Sequence, residues 1–138
     1  MSKQIGLKYQ KLAEFLLLER CFVVSETLGD YSPYDLIAEK NGRMFRIQVR
    51  STHRKLSKRN RGYKLLCSSW NKKDFLTKKD CDIIFAIAGD NNIYYIIPIE
   101  KIKQRTIILH PNAPYNDNRN YGGLNWEKYR MAWRYLEL

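Results

Sequence analysis

The sequence predicts one domain of the α/β (α+β) class, in which a central mixed β-sheet is flanked by helices. Three observations indicate this. Helix-spaced apolar residues open the chain, several short apolar runs separated by turn residues follow, and a second helix-spaced pattern lies near the end. A length of 138 residues with 44% hydrophobic residues suits a single globular domain over residues 1–138.

The first element is expected to be a helix over residues 2–20, in which Ile5, Tyr9, Leu12 and Leu16 share one face. Further apolar residues extend around much of the helix circumference. We therefore expect this helix to be buried on several sides.

A short strand over residues 22–24 is expected to precede a β-hairpin made of residues 34–39 and 44–50. Between these two runs stand Asn41 and Gly42, which favour a two-residue type I′ turn because both residues tolerate a positive φ. Because the turn type fixes the register, it predicts which residues of the hairpin face each other.

A second hairpin, residues 83–88 with 93–97, is so continuously apolar that burial on both faces is expected. The other elements are an exposed basic loop over 55–62, an extended segment over 63–70, a short helix within 71–79, a helical turn over 98–103, a strand over 106–109 and a loop over 111–123. A closing helix is expected to begin at Asn125 and to line one face with Trp126, Tyr129, Trp133 and Leu136.

The formal net charge of +11 is concentrated in one part of the chain, residues 40–73, which we call the acid-free window. It contains none of the 14 acidic residues and twelve of the 25 basic ones. A field of one sign favours a polyanionic partner, so the window predicts nucleic-acid binding. The alternative is a basic face kept for solubility, but on such a face acidic residues are usually interspersed among the basic ones. A membrane surface is disfavoured because the window lacks an apolar helical face.

The three cysteines are unevenly spaced, without a C-x-x-C pair, and are expected to be reduced and mostly buried. No apolar run approaches the roughly 18 residues that a membrane span needs, and the charged first twenty residues are unlike a signal peptide. We therefore expect no membrane partner and an intracellular location, in the cytoplasm or in the nucleoid or organelle that holds a DNA target.

One polar constellation is predicted on the first hairpin. If Asn41 and Gly42 form the turn, continuing the ladder puts Asp35 directly opposite Gln48. Side chains alternate across a strand, so Arg50 shares the face of Gln48. The opposite face then carries an apolar set that suits a core: Leu36, Ala38, Phe45, Ile47 and Val49.

Glu14 lies among leucines on the wheel of the first helix, where a carboxylate is costly unless a cation meets it. A metal ion or Arg50 is one candidate partner, and Lys11, one turn earlier, is the structural alternative. For the hairpin trio, the structural alternative is a buried ion pair between Asp35 and Arg50 with a hydrogen-bonded Gln48.

The run Pro33-Tyr34-Asp35, followed after the hairpin by Gln48-Val49-Arg50, resembles the PD-(D/E)XK nuclease superfamily, and Glu14 resembles the helix Glu of its metal site. Small group I intron homing endonucleases are the most similar members, being short and basic with Gln where others have Asp or Glu. The resemblance implies a restriction-endonuclease-like core. It covers mainly residues 5–52, with looser similarity over 82–99.

The resemblance implies a metal-dependent, site-specific DNA endonuclease. Asp35, Gln48, the Val49 carbonyl and Glu14 would bind Mg²⁺ or Mn²⁺. Arg50 stands where the superfamily has a catalytic Lys, and a guanidinium with a pKa above about 12 cannot act as a base, although it can stabilise charge. Asp35, Gln48, Arg50 and Glu14 are thus the candidate catalytic residues.

Double-stranded DNA is the expected partner of a homodimer or homotetramer, because two symmetric sites cut two strands most simply. A basic extension around residues 50–73 is expected to contact it. The candidate DNA-binding residues are Arg46, Arg54, Lys55, Lys58, Arg59, Arg61, Lys64, Lys72, Lys73 and Arg119. Two alternatives remain open: a Holliday-junction-type resolvase, and a catalytically decayed DNA-binding module on the same fold.

Overall fold

A computed structural model describes residues 3–29, 31–53, 62–69, 73–89, 91–111 and 124–137. Its regular elements are α1 (Lys3–Glu19), β1 (Val23–Glu26), β2 (Leu36–Lys40), β3 (Arg43–Thr52), β4 (Tyr63–Leu66), β5 (Ile83–Ala88), β6 (Ile93–Pro98) and β7 (Thr106–Leu109). Short 3₁₀ segments occupy Ile99–Lys101, Leu124–Tyr129 and Trp133–Tyr135. The predicted α/β class with a mixed sheet is confirmed.

The main sheet has five strands in the order β1-β2-β3-β5-β6. Strand β3 is parallel to β5, and every other neighbouring pair is antiparallel. Strands β4 and β7 form a separate two-stranded antiparallel sheet. The predicted second hairpin is confirmed as β5 and β6, and β5 is buried along its whole length. Strand β3 therefore runs through the middle of the domain and joins the two hairpins.

Helix α1 packs against β1 and β3 through Tyr9, Ala13 and Leu17. Its opposite side is open, since Phe15 and Leu18 leave 57% and 58% of their surface exposed. The expectation that this helix is buried on several sides was wrong. The main sheet covers one side of the helix, and within the described residues no second layer lies on the other.

Residues 73–79 form no helix, contrary to prediction. Their backbone bonds run across to the segment after β4: the Leu76 N–H donates to the Cys67 carbonyl at 2.8 Å, and the Ser69 N–H donates to Asp74 at 2.7 Å. An isolated bridge also pairs Ser68 with Phe75. These groups are thus paired with another segment, so they are not available for helical bonds.

The predicted closing helix is also wrong in form, because the C-terminal segment is held by β6. The Met131 N–H donates to the Tyr94 carbonyl at 3.0 Å, and φ of Met131 is 48°, which interrupts any helix there. Trp133 nevertheless enters the core, where its Nε1 donates to the Tyr94 hydroxyl at 3.0 Å and its ring packs on Phe85. The apolar pattern therefore predicted correctly that Tyr129, Trp133 and Leu136 are buried, but it did not predict the backbone conformation of this segment.

The described core draws on both faces of the main sheet, and each fully buried Ile or Leu contributes about 1.5–3 kcal/mol. Leu36, Ala38 and Ile47 are completely buried, and Phe45 and Val49 pack against them, so the predicted core face of the hairpin is confirmed. All three cysteines are free thiols; Cys67 and Cys81 are buried, and Cys21 is exposed. Among the described helices, none is long and apolar enough to cross a membrane.

Candidate active site

The turn between β2 and β3 sets the register of the candidate site. Asn41 and Gly42 have φ values of 54° and 77°, as a type I′ turn requires. Lys40 pairs with Arg43, and the ladder continues without a slip to Leu36 opposite Ile47. The regular ladder ends there, and the Asp35 N–H donates to the Ile47 carbonyl at 2.8 Å. The predicted hairpin register is confirmed from Lys40 to Leu36, and Asp35 meets Gln48 through their side chains.

The Asp35 carboxylate is held at the start of β2 by donors from β3. Its Oδ2 accepts the Val49 backbone N–H at 2.8 Å and the Gln48 Nε2 at 3.2 Å. No described group donates to Oδ1. Burial raises the pKa of Asp35, while the Val49 N–H and the positive charge of Arg50 act in the opposite direction. The site therefore contains a half-buried acid with one oxygen available.

Arg50 lies beside Asp35 without touching it. Its guanidinium donates instead to the backbone carbonyls of Leu66, at 3.2 Å, and Ser68, at 3.1 Å. The alternative of a direct Asp35–Arg50 ion pair is thus not what the structure contains, although Gln48 is hydrogen-bonded as that alternative expected. Two carbonyls hold the cation in place and leave its charge uncompensated by a contacting acid.

Glu14 points into a small ion cluster at the junction of α1 and β1. Lys11 Nζ lies 3.4 Å from Glu14 Oε2, an ion pair without hydrogen-bond geometry, and Lys11 also binds Glu26. Burial, followed by the neighbouring Glu26, raises the pKa of Glu14. The structural alternative, a pair with Lys11, is confirmed. Glu14 is not among the residues that line the cavity beside Asp35.

An open cavity of about 220 Å³ lies against the Asp35–Gln48 pair. Pockets for drug-sized ligands are usually about 300–1,000 Å³, so this one suits a smaller polar group approached from the surface. The lining residues are Thr27, Gly29, Ser32, Pro33, Tyr34, Asp35, Gln48, Arg50 and Leu76. The cavity therefore joins all three residues of the predicted hairpin constellation.

Thr27, Ser32 and Leu76 are lining residues that the sequence analysis missed. The Thr27 N–H donates to the Asp35 carbonyl at 3.2 Å, which ties the end of β1 to the start of β2. Ser32 accepts the Tyr34 N–H in a local turn, a pattern that the Ser-Pro sequence could have indicated. Leu76 arrives from a distant segment, and no local signal marks it.

The donors at the cavity fit a hard divalent cation only with help from water. In the described part of the chain, no group of three or more Asp, Glu, His or Cys side chains is arranged to hold an ion. Asp35 Oδ1 is available, and the amide oxygen of Gln48 becomes available if its terminal amide is rotated by half a turn. With the Val49 carbonyl these oxygens would form a site of low charge, which Mg²⁺ would tolerate because it keeps several waters.

Arg46, a predicted DNA-binding residue, binds within the protein. Its guanidinium donates to the Asp82 carboxylate and to the carbonyls of Lys78 and Lys79, and its backbone N–H donates to Asp82 at 2.7 Å. Burial alone would raise the pKa of Asp82, but hydrogen bonds from Arg46 and Lys78 lower it to about 2. This pair fastens β3 to the start of β5.

Most other candidate DNA-binding residues lie outside the described residues. These are Arg54, Lys55, Lys58, Arg59, Arg61, Lys72 and Arg119, as is nearly all of the predicted basic loop. Lys64 is half-buried on β4, and Lys73 is exposed near the cavity-lining segment. The described part of the acid-free window therefore includes β3 and β4, the strands that carry Arg50 and its carbonyl partners.

The chain was compared with known protein families, curated sequences and solved structures. The family model of the PD-(D/E)XK endonucleases matches residues 1–132. A solved structure of the bacterial homing endonuclease I-Ssp6803I is similar, with a TM-score of 0.77 and 21% sequence identity, over 98% of this chain and 91% of that chain. At this identity the likeness establishes the shared fold. No curated protein sequence matches the chain.

Proposed function

The chain belongs to the PD-(D/E)XK endonuclease family, and we propose on that basis that it is a metal-dependent endonuclease that hydrolyses phosphodiester bonds at specific sites in double-stranded DNA. The observation that carries the proposal is the Asp35–Gln48 pair, which faces an open cavity beside an anchored cation, Arg50. The homing-endonuclease fold of the solved neighbour supports the choice of substrate. Its location in the cell would be the compartment that holds its DNA target.

Asp35 and Gln48 would hold the metal through their oxygens, together with the Val49 carbonyl. When bound, Mg²⁺ or Mn²⁺ supplies a Lewis acid that polarises the scissile phosphate and lowers the pKa of a coordinated water. Asp35 must be ionised for this role, and the Val49 N–H bond at 2.8 Å favours that form. Glu14, whose carboxylate lies with Lys11 and Glu26, would act on the ion only through water.

Arg50 would stabilise the negative charge that develops on the phosphoryl oxygens. Because Leu66 and Ser68 hold its guanidinium through their carbonyls, the charge is oriented before substrate arrives and needs no rearrangement during the reaction. A guanidinium does not release its proton at neutral pH, so Arg50 is excluded as the base. Proton removal from the attacking water falls to the substrate phosphate or to bulk solvent.

The test is a cleavage assay on candidate target DNA with Mg²⁺ or Mn²⁺, comparing wild type with Asp35→Asn. We expect the substitution to lower the cleavage rate by about 10²–10³, since it removes the only charged oxygen donor of the proposed set. Glu39→Gln, an exposed acid on the same hairpin, is the matched control and should cleave at the wild-type rate. Equal rates for wild type and Asp35→Asn would remove Asp35 from the mechanism.

A second function, a DNA-binding module with a decayed site, is favoured by one observation: the described residues contain no cluster of three metal-ligating side chains. Arg50→Lys separates the two. If wild type binds DNA without cutting and Arg50→Lys gains activity, the site is decayed. If wild type cuts and Arg50→Lys loses activity, the anchored guanidinium takes part in the reaction.

Two copies acting on the two strands complete the proposal, as a homodimer or a homotetramer. The charge of +11 gives each copy the positive field that DNA binding needs, with the acid-free window as its main source.

A further inference from the structure

Helix α1 exposes an apolar surface, which we call the α1 stripe, formed by Leu7, Phe15 and Leu18. These side chains leave 55%, 57% and 58% of their surface exposed. At about 100° per residue they lie within an arc of about 80° along more than two turns of helix. Isolated exposed leucines are ordinary, but three large side chains on one side of one helix indicate a contact surface.

The charged residue within the stripe is neutralised inside the protomer. Lys11 lies between Leu7 and Phe15, and its ammonium is bound by Glu26 and lies 3.4 Å from Glu14. Its aliphatic stem can therefore cover apolar surface without bringing an unpaired charge into a contact. The stripe is thus continuous for a partner that packs along it.

The flank of the stripe carries complementary charges at its two ends. Lys8 and Glu19 are both exposed, and eleven residues, about three turns, separate them, so they lie along one side of α1. If two α1 helices pack antiparallel, Lys8 of each helix faces Glu19 of the other, and Leu7 meets Leu18. The pattern is complementary to itself, as a twofold-symmetric interface requires.

We infer that the α1 stripe binds the α1 stripe of a second copy of this chain, antiparallel and about a twofold axis near Ala13. The choice of a second copy rests on the proposed function, in which two nuclease sites act together. Charge supports it as well. With three Lys and two Glu, α1 has a net charge of only +1, so it is a place where two molecules of charge +11 can meet with little repulsion.

The experiment measures the oligomeric state of the full chain by sedimentation velocity over a range of concentrations. Wild type should self-associate. Phe15→Ser should raise the dissociation constant at least about tenfold, because it removes a central aromatic contact. Met44→Ser, which alters a side chain 61% exposed on β3, is the matched control and should leave association unchanged. Urea unfolding of both variants separates lost association from lost folding.

Charge exchange tests the antiparallel geometry. Lys8→Glu and Glu19→Lys should each weaken association about tenfold, since each places like charges opposite each other twice. The double variant and an equimolar mixture of the two single variants should both recover wild-type association. Loss in the single variants without recovery in either of these would overturn the proposed geometry.

A wild type that stays monomeric at its highest soluble concentration would also overturn the inference. So would a Phe15→Ser variant that associates normally but loses binding to anionic vesicles or to duplex DNA, because the occupant would then be a membrane or nucleic acid. Cleavage is scored separately. A monomer that cuts DNA contradicts the interface alone, and a dimer that recovers on charge exchange but never cuts contradicts the nuclease alone.

Discussion

Asp35 combines two opposed requirements, since burial favours its neutral form and its proposed role needs the charge. Burial raises its pKa, and the Val49 N–H and Arg50 only partly offset that effect. An acid with a raised pKa in the folded state destabilises the fold once pH exceeds its unfolded value. The destabilisation is complete above the folded value. This residue therefore lowers stability at neutral pH in exchange for a charged oxygen at the cavity.

Asp35→Asn should consequently raise the free energy of unfolding at pH 7 while it lowers the cleavage rate by about 10²–10³. An amide oxygen can still accept the Val49 N–H, and no charge is buried. The gain should vanish below the normal pKa of Asp, where wild type is itself protonated. Urea unfolding at pH 7 and pH 3 measures both values, and a variant less stable than wild type at pH 7 would refute the burial argument.

Asp82 is the opposite case, a carboxylate whose pKa is lowered to about 2 by Arg46 and Lys78. Its side chain is 15% exposed. Allowing for screening by nearby water, we expect it to contribute about 1–2 kcal/mol at pH 7. Because the folded pKa is depressed, this stability is present above pH 4 and is lost as pH falls toward 2.

Asp82→Asn should therefore lower the free energy of unfolding by about 1–2 kcal/mol at pH 7, with a smaller difference near pH 2. Asp74→Asn, which alters an exposed acid in the neighbouring segment, should change it little. Chemical denaturation at the two pH values checks the prediction. A difference independent of pH would mean that packing, and not charge, dominates at Asp82.

The β2–β3 hairpin converts a two-residue turn into the geometry of the site. Gly42 has a φ of 77° with open space around its Cβ position, so a side chain there meets strain and no clash. Gly42→Ala should cost about 1 kcal/mol in the free energy of unfolding. Gly6→Ala, in the helical φ of α1 and also with open space, should instead stabilise by about 0.5–1 kcal/mol. Thermal unfolding of the pair provides the comparison.

A one-residue insertion after Gly42 tests the same hairpin functionally. It should shift Asp35 out of register with Gln48 and abolish cleavage, even if the fold persists.

Local sequence signals predicted this hairpin because a two-residue Asn-Gly turn leaves a single register open, and Asp35, Gln48 and Arg50 follow from it by counting. The partner of Arg50 could not be predicted, because Leu66 and Ser68 offer backbone carbonyls, which every residue has. The α-helices predicted within residues 71–79 and in the C-terminal segment are absent from the described residues for a related reason. The backbone bonds of these segments go to residues 67–69 and to Tyr94, and such tertiary pairing leaves no periodic trace in the sequence.

If the protein acts on DNA as proposed, charge over the complete protein should set the strength of binding more than any single contact. If the acid-free window follows the phosphate backbone, the logarithm of the binding constant should fall linearly with the logarithm of salt concentration. Lys55→Gln and Arg59→Gln should each reduce the slope by about 0.9. Lys103→Gln, at an exposed position outside the window, should leave it unchanged. Fluorescence anisotropy with a labelled duplex from 50 to 200 mM salt, about the range over which such contacts are lost, gives the slopes.

The parallel pairing of β3 with β5 also fixes an order of assembly during synthesis. Strand β2 ends at Lys40 and β3 begins at Arg43, whereas β5 begins only at Ile83. At about 5–20 residues per second the ribosome needs about 2–6 s to pass from the end of β3 to β5. Asp35 and Gln48 can pair on the emerging hairpin, but Leu66 and Ser68, the anchors of Arg50, are made during that interval. A nascent chain can therefore bring Asp35 to Gln48 before the carbonyls that orient Arg50 have been made, and β3 gains its parallel neighbour after both.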